Sequence, residues 1–144
     1  HQFDKIEMFS FCHPEKSQEE HQLFLKMEEK LMQALKIPYR VVQLGAADIS
    51  RPSANTYDIE AWLPGQNQYR ETHSCSNCTD FQARRLNVRF RDKNGNLDFV
   101  HTLNGTAFAI GRTIIAILEN YQTKEGIIVM PEISRPHLGF ESID

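Results

Sequence analysis

A carboxylate and an ammonium group lie between aromatic side chains near the start of this sequence. The segment 2–11 alternates as a β-strand does, and successive strand side chains point to opposite faces. One face would therefore carry Phe3, Lys5, Glu7, Phe9 and Phe11. A dry core does not accommodate charged groups between aromatic rings, because burying a charge is costly. This face is typical of a surface that binds a polar, planar ligand.

Arg112 is a second candidate binding residue. It follows Gly111 and precedes the largely apolar segment 113–117. A solvated surface does not explain an arginine in that setting. The sequence therefore favours a binding role for Arg112.

The cysteines raise the question of a metal site or a nucleophile. Cys75 and Cys78 have the two-residue spacing of zinc ligands, and His73 and Cys12 are the nearest candidates to complete a site. A structural zinc usually takes two such pairs, and the sequence has one, so no structural zinc is expected. No Gly-x-Ser-x-Gly elbow occurs, and buried free thiols are favoured over catalytic ones. No glycine-rich phosphate loop occurs either, so any nucleotide must be bound by another device.

Composition limits the class of protein. The chain has 144 residues, of which 40% are hydrophobic and 24% are charged, as in one globular domain. No apolar stretch reaches the roughly 18 residues that cross a membrane. Three cysteines without a signal-like start indicate a reducing compartment, and a cytoplasmic location is expected.

The charge balance gives little sign of nucleic-acid binding. A formal net charge of -3 is not a general basic footprint. One basic cluster stands out, and it consists of Arg84, Arg85, Arg89 and Arg91. A solvated face is favoured for this cluster over a phosphate-binding strip.

The pattern of elements predicts an α+β fold, with an antiparallel sheet flanked by helices. A helix is predicted over 17–37, with Ser17 and Glu20 as a capping box and a buried stripe of Leu23, Met27, Leu31 and Leu35. A second helix is predicted over 106–122. Strands are predicted at 2–11, 39–44, 56–62 and 69–73, with a hairpin over 87–103 that turns at Asn94 and Gly95.

Seven phrases, taken together and in order, resemble one enzyme family. They are HQFDKIE (1–7), TYDIEAWLP (56–64), YRETHSCSN (69–77), DFQARR (80–85), HTLNGTA (101–107), GR (111–112) and ENYQ (119–122). The family is the bacterial-type seryl-tRNA synthetases, which are class II enzymes built on an antiparallel sheet. The resemblance covers nearly the whole chain, from the second strand of the class's motif 2 through motif 3.

The resemblance implies a reaction and roles for seven residues. Serine would attack the α-phosphate of ATP to give seryl-adenylate, and the seryl group would then pass to tRNA(Ser). Phe3 would stack on adenine, Arg112 would bind the outer phosphates, and Glu71 and Ser74 would bind the phosphates and Mg²⁺. Glu7, Asn104 and Thr106 would contact serine. Arg112 and Glu71 are the implied catalytic residues. Glu71 and Ser74 lie three residues apart, so a bend or bulge must lie between them if both face the metal.

The resemblance also implies missing parts and leaves two rival functions open. In the family, a tRNA-binding coiled coil, motif 1 with its dimer helix, and the first part of motif 2 would precede His1. The chain is accordingly expected to be a partial class II catalytic domain over 1–144, taken from a protein that forms a homodimer. One rival is a truncated homologue that charges a carrier protein. The other is a non-catalytic fragment or paralogue that only binds nucleotide or a partner.

Overall fold

The computed structural model describes residues 2–144. Its nine strands are β1 (Lys5–Cys12), β2 (Tyr39–Gln43), β3 (Asn55–Leu63), β4 (Gln68–Asn77), β5 (Arg89–Arg91), β6 (Leu97–Phe99), β7 (His101–Ala109), β8 (Ile128–Val129) and β9 (Ser142–Ile143). Its α-helices are α1 (Ser17–Ala34), α2 (Phe81–Leu86), α3 (Ile110–Tyr121) and α4 (Arg135–Leu138). None of these helices is both long and apolar enough to cross a membrane.

Five strands form the main sheet in the order β1-β7-β4-β3-β2, and every neighbouring pair is antiparallel. The short pairs β5 with β6 and β8 with β9 lie outside it. The predicted antiparallel sheet flanked by helices is therefore confirmed.

The hydrophobic core lies between α1, α3 and one face of this sheet. Its buried members include Phe24 and Met32 of α1, Ala116 of α3, and Ile59 and Leu103 of the sheet. Side chains alternate along each strand, so a second set points to the opposite side. We call that side the front face, and its members are Glu7 of β1, Thr56, Asp58 and Glu60 of β3, Glu71, Ser74 and Ser76 of β4, and Asn104 and Thr106 of β7.

Two β-bulges set which side chains reach the front face. Opposite β3, His73 pairs with Ile59 and Glu71 pairs with Glu60, so Thr72 is an extra residue. A bulge of this kind returns Glu71 to the same face as Ser74. The predicted bulge between Glu71 and Ser74 is confirmed. A second bulge, at Ala107, brings Thr106 of β7 opposite Glu7.

Strands β4 and β7 pair over a short stretch only. Their register runs from Asn77–Leu103 to Cys75–Gly105 and does not continue beyond that pair. Past this point the two strands still contact each other through aromatic rings, since the centroids of His73 and Phe108 lie 6.1 Å apart. The ladder between β4 and β7 is therefore interrupted on the side where both bulges lie.

The prediction for the first helix was wrong in its end, its cap and its buried face. The helix ends at Ala34, and Lys36 after it has a φ of 54°. The Ser17 hydroxyl donates to the Pro14 carbonyl oxygen instead of forming a capping box. The buried residues of the helix are Ser17, His21, Phe24, Leu25, Glu28 and Met32. Of the predicted stripe, Leu23 and Met27 are exposed, whereas Leu35 is buried in the core as predicted. The helix therefore buries a different face from the predicted one, and this face includes His21 and Glu28.

Three other boundaries were also wrong. The first strand begins at Lys5, so Phe3 lies outside it. The hairpin predicted over 87–103 is formed by β5 and β6 and ends before His101, which already belongs to the main sheet. Of the two turn residues predicted to have a positive φ, Asn94 and Gly95, only Gly95 has one. The last helix begins at Ile110, because the segment from Thr106 to Ala109 continues β7.

Candidate active site

The first part of the front face joins β1 to β7. Thr106 is buried, and its hydroxyl donates to Glu7 Oε2 at 3.2 Å. Lys5 Nζ lies 2.8 Å from the same oxygen. Asn104, two residues from Thr106 on β7, donates from Nδ2 to Cys78 Sγ at 3.6 Å. The structure thus brings together the three residues predicted to contact serine, as hydrogen-bonding groups suited to a short polar molecule.

The second part of the site joins β4 to the start of α3. Arg112 Nη1 donates to the Glu71 carbonyl oxygen at 2.9 Å and lies 3.3 Å from Glu71 Oε1. Both side chains are about half exposed, so they are accessible to a ligand. Arg112 lies in the first turn of α3, and a helix N-terminus favours a bound anion. Ala109 caps the N-terminus of α3, and its side chain forms no hydrogen bond with the first backbone N–H groups of the helix.

An open cleft of about 390 Å³ lies beside this pair. It is lined by Leu63, Gln66, Arg70, Glu71, Thr72, Arg112 and Ile115. The cleft therefore includes the predicted phosphate-binding residues Glu71 and Arg112. Glu7, Asn104 and Thr106 lie outside it, on the neighbouring strands.

Phe3 precedes β1, and 57% of its surface is exposed. The carbonyl oxygen of the next residue, Asp4, accepts from the Ile110 N–H at the start of α3, so Phe3 lies near the end of the site that contains Arg112. Phe9 and Phe11 of β1 are also exposed, and their rings meet edge to face at 5.1 Å. The predicted aromatic face is therefore present, but it belongs to an edge strand and not to a dry core.

Asp58 is a front-face residue that the sequence interpretation missed. It lies opposite Ser74 and is nearly buried. Burial raises its pKa, and the Ser74 hydroxyl beside it lowers the pKa in part. A carboxylate between Tyr57 and Ile59, in the middle of a predicted strand, was the signal that could have found it.

Two ionisable groups lie on the core side of the sheet, behind the site. Glu28 of α1 is fully buried, and burial raises its pKa to about 8. It faces Gly105, where an added Cβ would lie 3.1 Å from Glu28 Oε1 and 2.9 Å from Phe24 Cδ2. His73 is also fully buried, and burial lowers its pKa to about 4. Both groups are therefore largely neutral at pH 7.

The donor set of the front face fits a magnesium ion that arrives with phosphate. Glu71 offers a carboxylate and Ser74 a hydroxyl on the same face, and Mg²⁺ is usually held by one or two protein oxygens together with substrate phosphates. Asp58 Oδ1 beside them is buried and has no hydrogen-bond partner. Within residues 2–144, no group of three or more His, Cys, Asp or Glu side chains is arranged to hold a metal by itself.

The three cysteines are free, as predicted, and two of them are buried. Burial raises the pKa values of the Cys75 and Cys78 thiols, which makes the reactive thiolate rare. We therefore expect a thiol reagent to label Cys12, which is partly exposed, at least about tenfold faster than the other two. Mass spectrometry of the labelled native chain measures this, and Cys12→Ser should abolish the fast phase. Fast labelling of Cys75 would contradict the structure.

The basic cluster is exposed, but its arginines are not freely solvated. The guanidinium of Arg84 lies 4.7 Å from the Phe99 ring centroid, and that of Arg89 lies 4.6 Å from the same centroid. Arg85 lies 3.6 Å from the ring centroid of Phe81. The contact of Arg84 with Phe99 joins α2 to the β5–β6 hairpin, whereas the other two lie within α2 and within the hairpin.

Comparison with known proteins agrees with the fold. A model of the family described as the tRNA synthetase class II core domain (G, H, P, S and T) matches residues 1–121. Serine--tRNA ligases from Dictyoglomus thermophilum and Brachyspira hyodysenteriae are each 53% identical, over 99% and 100% of this chain. The chain spans about a third of their length, 34% in each case.

Solved structures give the same result. A seryl-tRNA synthetase from Pyrococcus horikoshii, complexed with ATP, superposes with a TM-score of 0.97 at 49% identity, over 99% of this chain and 32% of that one. A cytoplasmic serine-tRNA ligase from Naegleria fowleri, in complex with AMP, superposes with a TM-score of 0.92 at 43% identity, over 100% of this chain and 34% of that one. The chain therefore belongs to the tRNA synthetase class II core domain family, and the relatives that it matches are serine–tRNA ligases.

Proposed function

We propose that this chain is part of the catalytic core of a serine–tRNA ligase, which activates serine with ATP and transfers it to tRNA(Ser). The observation that carries the proposal is the pair of polar contacts on one sheet face. Glu7 and Thr106 form one contact, and Glu71 and Arg112 form the other. The names of the relatives and the ATP and AMP bound in two structural neighbours support the same assignment.

The Glu7 end would select serine. The Thr106 hydroxyl and the Glu7 carboxylate offer a donor and an acceptor, and Asn104 adds an amide on the same strand. A serine hydroxyl would satisfy these groups, whereas alanine would leave them unpaired. Polar groups left unpaired in a closed site penalise the wrong substrate strongly.

The Arg112 end would hold ATP. A guanidinium can bind two phosphate oxygens at once, and the Glu71 carboxylate keeps its plane in position. Phe3, on the exposed segment before β1, would cover the adenine. Glu71 and Ser74 would hold Mg²⁺, which neutralises phosphate charge when it is bound.

Catalysis would then depend mainly on position and charge. The serine carboxylate is itself the nucleophile, so the chain needs no nucleophilic side chain. Holding the carboxylate in line with the α-phosphate removes much of the entropic barrier. Arg112 would stabilise the negative charge on the departing phosphates. The whole protein would act in the cytoplasm, as a homodimer.

The decisive experiment is serine-dependent exchange between ATP and pyrophosphate, followed by transfer of the seryl group to tRNA. We expect Glu7→Gln to lower kcat/KM for serine by roughly 30-fold or more, because a charged hydrogen bond contributes about 2–3 kcal/mol. Glu20→Gln is the matched control. Glu20 accepts from Ser10, whose side chain is on the other face of β1, so this variant should stay within about twofold.

Three outcomes would count against the proposal. Exchange that alanine supports as well as serine would refute serine selection. Transfer to a carrier protein in place of tRNA would favour a truncated homologue. Calorimetric binding of a seryl-adenylate mimic without any exchange would favour a non-catalytic role.

A further inference from the structure

Asp58 is a nearly buried acidic side chain that none of the steps proposed above uses. It lies in the middle of β3, opposite Ser74 of β4, and only 9% of its surface is exposed. The next pair along the same face is Thr56 and Ser76, whose hydroxyl oxygens lie 2.8 Å apart. Asp58 and Ser74 therefore continue a row of polar cross-strand pairs on the front face.

The neighbouring cations are already paired with other carboxylates. Arg112 contacts Glu71, and Arg40 forms a salt bridge with Glu60. Among residues 2–144, no cation forms a salt bridge with Asp58, and its Oδ1 atom is buried without a hydrogen-bond partner. A buried polar atom of this kind costs about 1–3 kcal/mol. A buried, unpartnered carboxylate oxygen that faces a binding site is a candidate for a functional role.

Ser74 connects this carboxylate to the phosphate end of the site. Ser74 is the direct cross-strand neighbour of Asp58, so the two side chains lie on the same face within reach of each other. The bulge at Thr72 places Glu71 on that face as well. A serine hydroxyl has one proton to donate and two lone pairs. When the proton is directed at Asp58, the lone pairs are free to point elsewhere on the front face.

We propose that Asp58 is a positioning residue for a metal site formed by Ser74 and Glu71. Its carboxylate accepts the Ser74 hydroxyl proton, so that Ser74 Oγ presents its lone pairs to a divalent cation carried by the nucleotide phosphates. The inference rests on the proposed function, which supplies the nucleotide. Partners of this kind orient a metal ligand and raise its basicity, and their loss typically costs about 10–100-fold in metal affinity.

The test is calorimetric titration of Mn²⁺ into the 144-residue chain saturated with a non-hydrolysable ATP analogue. We expect Asp58→Ala, which removes the hydrogen-bond acceptor, to weaken Mn²⁺ binding roughly tenfold or more, as Ser74→Ala should. Asp58→Asn keeps an amide oxygen that can accept the same proton, so it should weaken binding less than Asp58→Ala. The double variant should be no weaker than Ser74→Ala alone, because Asp58 acts through Ser74. Glu60→Gln is the matched control, since Glu60 is a carboxylate of the same strand and face that is already paired with Arg40. It should stay within about twofold.

A melting curve separates positioning from a structural role. Both Asp58 variants remove a nearly buried charge that has no salt bridge among residues 2–144, so their melting temperatures should equal or exceed that of the parent chain. If Asp58→Ala does not fold, Asp58→Asn takes its place, because it keeps the shape of the side chain. Unchanged Mn²⁺ affinity, or a loss of affinity that parallels a fall in melting temperature, would overturn the positioning role alone. A parent chain that binds no Mn²⁺ with the nucleotide would overturn both this role and the proposed function.

Discussion

Arg112→Ala should weaken ATP binding to this chain roughly 30- to 150-fold and leave AMP binding within about threefold. Charged hydrogen bonds to phosphate contribute about 2–3 kcal/mol, and the proposed role of Arg112 concerns the outer phosphates, which AMP lacks. The guanidinium is about half exposed and held by Glu71, so the loss should appear in binding more than in folding. Calorimetric titration with both nucleotides measures the difference.

Two control variants refine the Arg112 prediction. Arg112→Lys keeps the charge but loses the planar fork, so it should lose about tenfold in ATP affinity. Arg40→Ala removes another arginine that is paired with a carboxylate, here Glu60 on the sheet, and should change neither affinity beyond about twofold. Equal losses of ATP and AMP affinity in Arg112→Ala would show that Arg112 supports the fold and does not bind the outer phosphates.

Glu28→Gln should remove most of a fall in stability that the parent chain shows between pH 5 and pH 9. The unfolded carboxyl ionises near pH 4.5, whereas burial raises the pKa of the folded one to about 8. Between these values the folded chain holds a proton that the unfolded chain has lost, so the free energy of unfolding decreases as pH rises. Between pH 5 and pH 9 the free energy of unfolding should fall by about 4 kcal/mol on this account, at about 1.4 kcal/mol for each pKa unit.

Denaturant unfolding at pH 5, 7 and 9 tests the Glu28 prediction. The quantity to compare is the difference in free energy between Glu28→Gln and the parent chain, because the buried histidine His73 titrates in both. Glu19→Gln changes an exposed carboxylate of the same helix and should follow the parent within about 0.5 kcal/mol at each pH. A difference that does not change with pH would mean that Glu28 is ionised in the folded chain.

Some of the fold could be predicted from the sequence because local pattern and tertiary packing agree there. The strands at 39–44 and 56–62 alternate clearly, and the structure has them as β2 and β3. The spacing of Glu71 and Ser74 also predicted a bulge, since residues three apart cannot face the same side of a regular strand. These features depend on near neighbours in the chain.

The errors occur where distant residues decide the outcome. Glu28 and His21 are polar residues outside the predicted apolar stripe of the first helix, yet both are buried. The helix therefore buries a different face from the predicted one. The segment 106–109 has no polar break before the last helix, and only its pairing with β1 shows that it is a strand. Asp58 was passed over because its significance depends on Ser74 across the sheet.

The short pairing of β4 and β7 divides the site between two parts of the sheet. Beyond the Cys75–Gly105 pair, the register of these two strands does not continue. Glu71 and Ser74 belong to β4, whereas Glu7 and Thr106 belong to β1 and β7. The groups proposed to hold phosphate and those proposed to hold serine therefore lie on opposite sides of the interruption, and the contact of His73 with Phe108 helps to set the distance between the two sides.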